Sequence, residues 1–126
     1  MYRISLILLP IVFAIVFPAR AADEESRYLI WGLGQSSCNK YNQARAALKI
    51  EDYKTYVAGY LTAYNAFMPE TYNITPAMDM DAVMGWLAGH CDDHRTANIA
   101  EAMHQFSEEM YEKREKAAQG EGARWP

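Results

Sequence analysis

Two cysteines, Cys38 and Cys91, stand behind an apolar leader, and the 126 residues hold no others. That pair constrains the fold more than any other feature. In an exported chain, two cysteines most simply pair with each other. The bond would close a loop of about 50 residues and contribute roughly 4 kcal/mol in the chain-entropy model. Two buried free thiols or a metal site are the rival readings. No Cys-x-x-Cys occurs, so a thioredoxin-like redox role has no support.

Residues 1–21 read as a signal peptide. A basic start (Met1, Tyr2, Arg3) leads into an apolar run from Ile4 to Phe17 and then Pro18-Ala19-Arg20-Ala21. This is a basic n-region, an h-region and a small-x-small cleavage site. Cleavage after Ala21 leaves Ala22-Asp23-Glu24-Glu25 as the new N-terminus. An uncleaved anchor fits less well. The run is shorter than the roughly 20 residues a spanning helix needs, and Pro10 interrupts it. No cysteine lies near the cut to carry a lipid. The expected location is periplasmic or secreted, with no stable membrane anchor after cleavage.

The remaining residues fit one domain near the small end for a self-sufficient core, where a covalent staple helps. The leader contains two of the 12 basic residues and none of the 16 acidic ones, so the mature chain carries −6 at neutral pH. An acidic chain without a basic patch argues against nucleic acid and against anionic membrane surfaces. It suits cationic partners.

The mature chain divides into a lead-in loop (22–37), a helical domain (38–118) and a flexible tail (119–126). Trp31-Gly32-Leu33-Gly34-Gln35-Ser36-Ser37 is glycine- and serine-rich, and Ser36 or Ser37 suits the cap of a first helix over about Cys38 to Leu48. Asp52 is the expected cap of a second helix running to about Phe67. Its apolar face is Tyr53, Val57, Tyr60, Leu61, Tyr64 and Met68. Gly59, mid-helix, is expected to admit a closely packed neighbour. Residues 68–78 form a long connection with Pro69 and Pro76.

A third helix starts near Pro76 or Asp79 and carries Met80, Val83, Met84, Leu87 and Cys91 at helical spacing, which puts Cys91 on the buried stripe. A fourth starts near Thr96 with Ile99, Ala102, Met103, Phe106 and Met110. The charged stretch after Met110 offers the i,i+4 pair Glu112–Lys116. No segment alternates with period two. The fold class is all-α: a small four-helix domain, with the bridge joining the first helix to the end of the third.

Candidate sites are few. Tyr53, Tyr56, Tyr60 and Tyr64 crowd one broad side of the second helix, with Tyr41 and Tyr72 expected nearby. Tyrosine offers contact area with a polar tip, which suits a partner-binding face. The bland reading is a small core built with tyrosines whose hydroxyls reach the surface. His90 and His94 are i,i+4 and would share a metal on a continuous helix. The helix is expected to end near Asp92, which makes them a solvated helix end. Met78, Met80 and Met84, with Met68, Met103 and Met110, resemble a soft-ligand set for Cu(I). Most of them fall on apolar stripes, where methionine fills gaps. Asp79 reads as a cap, and Asp81, Glu108 and Glu109 as solvated faces rather than paired acid–base carboxylates. Ser36 and Ser37 lack a nucleophile motif, and no phosphate-binding glycine loop is present. No catalytic residue, metal or cofactor is assigned, and the chain reads as a non-enzyme.

Tyr56-Val57-Ala58-Gly59-Tyr60-Leu61-Thr62-Ala63 resembles the tryptophan-x-x-Gly-Tyr-Leu-Ser helix of HdeA/HdeB-like periplasmic proteins. Asp81 to Cys91, followed by Ile99-Ala100-Glu101-Ala102, is similar to that family's second-cysteine region. The likeness spans roughly residues 38 to 106. The Trp31–Cys38 start looks more like that of an uncharacterised group of secreted proteobacterial proteins, and the 68–78 connection departs from the acid chaperones. A similar helical, disulfide-bonded layout occurs in Tai-like immunity proteins, which neutralise exported toxic enzymes and carry further cysteines.

The resemblance implies a non-enzymatic binding protein that holds unfolded clients through apolar faces exposed on acid loosening. Once the carboxylates are neutral and His90, His94 and His104 charged, the mature count becomes about +13 plus the amino terminus. Self-repulsion of that size loosens a small domain while a disulfide holds it together. Two other expectations stand beside it: an inhibitor or immunity-type protein using the tyrosine side on one exported enzyme at neutral pH, and copper binding by methionines. A homodimer has room on one helix face, and no residue decides it.

Overall fold

The computed structural model describes residues 22–118. The signal-peptide reading of 1–21 and the tail 119–126 lie outside these described residues. The described chain is all-α. A 3-10 turn, Gly32–Gln35, leads into α1 (Cys38–Ala46), α2 (Glu51–Phe67), α3 (Met80–Asp93) and α4 (Ile99–Met110), followed by a second 3-10 turn, Tyr111–Lys113. Among the described residues no helix is long and apolar enough to cross a membrane.

The caps explain where the helices start. The Ser37 side chain accepts from the Lys40 N–H and opens α1, and Asp79 accepts from the Ala82 N–H to open α3. Asp52 does not cap α2. That helix begins two residues earlier than such a cap would place it, at Glu51 behind Ile50, which offers no side-chain cap. Glu51 and Asp52 instead lie in its first turn, where the helix dipole favours negative charge. The fourth helix starts later than the Thr96 expectation. Asn98 and Glu101 form a complete capping box, and that reciprocal pair sets the start at Ile99.

The first helix stops at Ala46, short of Leu48. Leu48 has φ 55°, the Lys49 N–H donates to the Ala44 carbonyl at 2.9 Å and the Leu48 N–H to Arg45 at 3.0 Å. This is a Schellman ending with leucine at the position glycine usually holds. After Met110 the chain tightens into the 3-10 turn rather than carrying an α-helix on through Lys116.

Cys38 and Cys91 are bonded, with their Cα atoms 4.8 Å apart, so the bridge joins the start of α1 to the end of α3. Around it lies the core: Tyr41, Val57, Ile74, Val83, Leu87, Ile99, Met103 and Phe106, all essentially inaccessible to water. The starts of α1 and α4 are tied together. The Cys38 N–H donates to Ala97 O at 2.8 Å, and the Ile99 N–H to Ser36 O at 3.0 Å. Arg45 of α1 pairs with Asp92 at 3.0 Å, and Asn42 Nδ2 donates to the Cys91 carbonyl at 3.0 Å. The second contact satisfies a backbone carbonyl that the C-terminal end of a helix leaves open.

The 68–78 connection is pinned to the domain. Ile74 is fully buried, its N–H donates to Asn65 Oδ1 at 2.8 Å, and Asn73 pairs through its backbone with Glu115. Gly59 does not receive a close neighbour, because a Cβ built there meets nothing within 4 Å.

Candidate protein-binding face

Helix α2 distributes its four tyrosines unequally. Tyr53 is buried and packs edge-on against Tyr41, ring centroids 5.1 Å apart, so it belongs to the core rather than to a partner face. Its place on the Val57–Leu61 stripe explains this. Tyr56, Tyr60 and Tyr64 lie on the flank of that stripe and are half buried. Tyr60 reaches across to α4, where its hydroxyl shares a 3.0 Å hydrogen bond with Ser107 Oγ. Tyr60 and Tyr64 stack with centroids 6.2 Å apart.

Burial disfavours the phenolate, so the Tyr60 pKa is pushed up to about 12, with Ser107 opposing that shift in part. Tyr56 and Tyr64 are raised for the same first reason, and the phenols nearby add to it: Tyr28 for Tyr56, Tyr111 for Tyr64. The row therefore runs from Tyr28 through α2 to Tyr111, whose ring lies under the Arg114 guanidinium at 3.7 Å.

One end of the row is covered by a strap that the tyrosine spacing alone did not announce. Residues 28–31 precede the first 3-10 turn, and Gly34 of that turn is buried against Tyr56. A Cβ on Gly34 would collide with the Tyr56 hydroxyl and come within 2.7 Å of Ile30 Cγ2. Glycine is required there for close approach, not for an unusual φ. The strap turns its other side outward. Leu29 is 73% and Trp31 76% exposed, and Tyr28 is also exposed. The signal in the sequence was the alternation of Ile30 inward with Leu29 and Trp31 outward, too short for the period to stand out.

The histidines at the end of α3 form a second feature. Trp86, His90 and His94 follow one another at i, i+4 and i+8, and their rings stack. Trp86 and His90 are 5.1 Å apart at 14°, His90 and His94 4.3 Å apart at 15°. α3 continues through Asp93 because the Arg45 and Asn42 contacts hold its end, and His94 becomes its C-cap. His94 Nδ1 lies 3.0 Å from the His90 carbonyl, and Trp86 Nε1–H donates to Glu109 Oε2 on α4 at 3.0 Å. Burial lowers the His90 pKa, and the neighbouring His94 lowers it further, against the carboxylates of Glu109 and Asp93. The described residues hold no group of three or more His, Cys, Asp or Glu side chains placed to hold a metal ion. Among the methionines, Met84 and Met103 are buried in the core, and Met78, Met80 and Met110 pack against it.

Comparison of the chain with protein-family models, with curated proteins and with solved structures gives no match.

Proposed function

We propose that the chain is an exported, non-enzymatic binding protein of the HdeA type, which holds unfolded clients on apolar surface released by acid. The observation that carries this reading is the His90–His94 stack beside the disulfide-bonded Cys91. Acid places two positive charges face to face at that point. The carboxylates of Asp93 and Glu109 offset them until they too are protonated. The sign follows from the lowered His90 pKa. The unfolded chain takes up a proton at His90 more readily than the folded chain, so stability present above the ordinary histidine value is lost as the pH falls through the folded one. Loosening at the end of α3 is confined by the bridge, and the faces it frees carry Leu87, Met103 and Phe106.

The test is light scattering from an aggregating model client, with and without the oxidised protein, at pH 2–3 and at pH 7. Suppression at acid pH alone is expected, and a protein that stays folded and inert at pH 2 rules the reading out. Replacing His90 and His94 by glutamine should move the acid-unfolding midpoint to lower pH.

A second reading is favoured by a different observation. Leu29 and Trp31 are already exposed at neutral pH, beside the half-buried tyrosine row. Exposed Tyr28, Leu29 and Trp31 on the folded state suit a specific partner, such as an exported enzyme held by an immunity-type protein. A stoichiometric complex at pH 7 that is lost in a Trp31→Ser variant would support it over the first.

A further inference from the structure

We infer that residues 27–31 form an open strand edge that pairs, main chain to main chain, with an extended segment of a partner protein whose apolar residues are followed by lysine or arginine. This rests on the second reading above, which puts a partner on Leu29 and Trp31, and it adds how that partner is held. Residues 27–31 lie outside any helix or turn, and Trp31 has φ −112° and ψ 150°. Their side chains alternate. Ile30 packs toward Gly34, and Tyr28 lies close enough to Tyr56 and Tyr60 for their phenols to interact. Leu29 and Trp31 face water. In an extended chain, alternate residues aim their N–H and C=O at the same edge. On the Tyr28–Ile30 edge the Ile30 carbonyl is already taken by Gln35 Nε2 at 2.6 Å. On the other edge the Leu29 N–H and C=O and the Trp31 N–H have no hydrogen-bond partner among the described residues. A free edge beside exposed apolar side chains is a template for an added strand.

Charge selects the occupant. The turn before the strap carries Asp23, Glu24 and Glu25. Arg27 alone answers them, reaching Asp23 at 3.0 Å and Glu25 at 2.9 Å, and Glu24 has no ion-pair partner among the described residues. An antiparallel segment, the more stably paired direction, brings its C-terminal end to this acidic turn. Cations that follow the apolar residues of such a segment therefore meet the carboxylates. A second copy of this chain would bring Gly32–Gln35 there, which carries no charge.

The probe is an end-blocked valine–threonine–valine–threonine–lysine–lysine peptide, titrated into isotope-labelled, oxidised protein at pH 7 and followed by amide NMR shifts and hydrogen exchange. At saturation, exchange should slow about tenfold at Leu29 and Trp31 and stay unchanged at Tyr28 and Ile30. Leu29→Pro deletes an N–H that bonds nothing within the fold, at an exposed position proline tolerates, so α2 and α4 should keep their shifts while binding weakens about tenfold. Leu29→Ala shortens the side chain but keeps the N–H, and should bind more tightly than Leu29→Pro. The lysine–lysine–valine–threonine–valine–threonine peptide puts its cations at the wrong end and should bind more weakly. Absent protection, protection without the alternation, or equal binding by the two Leu29 variants would overturn the strand pairing. The second reading would survive that result if a partner complex is still lost in Trp31→Ser. Equal binding of the reversed peptide, or protection of the same amides by raising protein concentration alone, would overturn the cationic occupant, the latter in favour of a second copy.

Discussion

At the disulfide end, Cys38, Cys91, Ile99 and Met103 are excluded from water. Along the tyrosine row, Tyr56, Tyr60 and Tyr64 remain half buried, with the Tyr60 hydroxyl bonded to Ser107 and the Tyr56 hydroxyl against Gly34. The first region is held by a covalent bond and dry packing. The second is held by long side chains that span between helices and end in polar groups. The difference teaches where each kind of change is felt. Volume and covalency matter at one end, and hydroxyl chemistry and fit under the strap matter along the other.

The largest expected effect breaks the first region. Replacing both Cys38 and Cys91 by alanine should cost about 4 kcal/mol, because the closed loop spans 53 positions. A urea titration of oxidised protein against the variant measures it, and a midpoint unchanged by the loss of the bridge would contradict the comparison. Leu87→Ala, on the fully buried stripe of α3, should cost about 3 kcal/mol through lost contacts and a residual cavity. Gly34→Ala tests the strap and should cost about 2 kcal/mol by overpacking against Tyr56 and Ile30. Its signature would be altered Trp31 fluorescence, whereas Leu87→Ala should leave the strap in place.

Tyr60→Phe sharpens the contrast, with a cost of about 1 kcal/mol at neutral pH from the lost bond to Ser107. It also has a pH signature. A phenol raised to about 12 when folded, against 10 when unfolded, contributes stability that is intact below pH 10 and is lost as the pH rises toward 12. The phenylalanine variant should lose less stability over that interval, and thermal melts at pH 9, 10 and 11 would show a parallel decline if the idea is wrong. The smallest effect is a gain. Leu48 has φ 55° and is 91% exposed, so Leu48→Gly relieves strain without losing packing and should raise stability by about 0.5–1 kcal/mol.

The helices were legible where an apolar stripe was regular. Val57 and Leu61, Val83 to Cys91, and Ile99 to Phe106 kept their period and are buried. Asp79 was legible as a cap, and the first cap was narrowed to Ser36 or Ser37, of which Ser37 takes the role, because such side chains have one good use at a helix start. The end of α1 was not legible, because leucine gives no sign of a left-handed backbone. The start of α4 was missed by a few residues, since Thr96 and Asn98 are both plausible caps and only Glu101 reaching back selects the second. Tyr53 was grouped with its neighbours because all four tyrosines fall on one broad side, and periodicity does not say where a core stops and its flank begins. The Trp86–His90–His94 ladder was present as an i, i+4, i+8 pattern. Its significance depends on Glu109 arriving from α4, a juxtaposition no local pattern contains.

The bridge between residues 38 and 91 turns α1, α2 and α3 into a closed ring and leaves α4 as an open arm. A protease that nicks the 68–78 connection therefore produces two pieces that still travel as one molecule until a reductant is added. A nick in the turn at residues 94–97 leaves α4 with no covalent tie to the ring, held only by the packing of Ile99, Met103 and Phe106 and by its backbone hydrogen bonds. The molecule thus keeps its covalent continuity after scission in its longest connection and loses it after scission in one of its shortest.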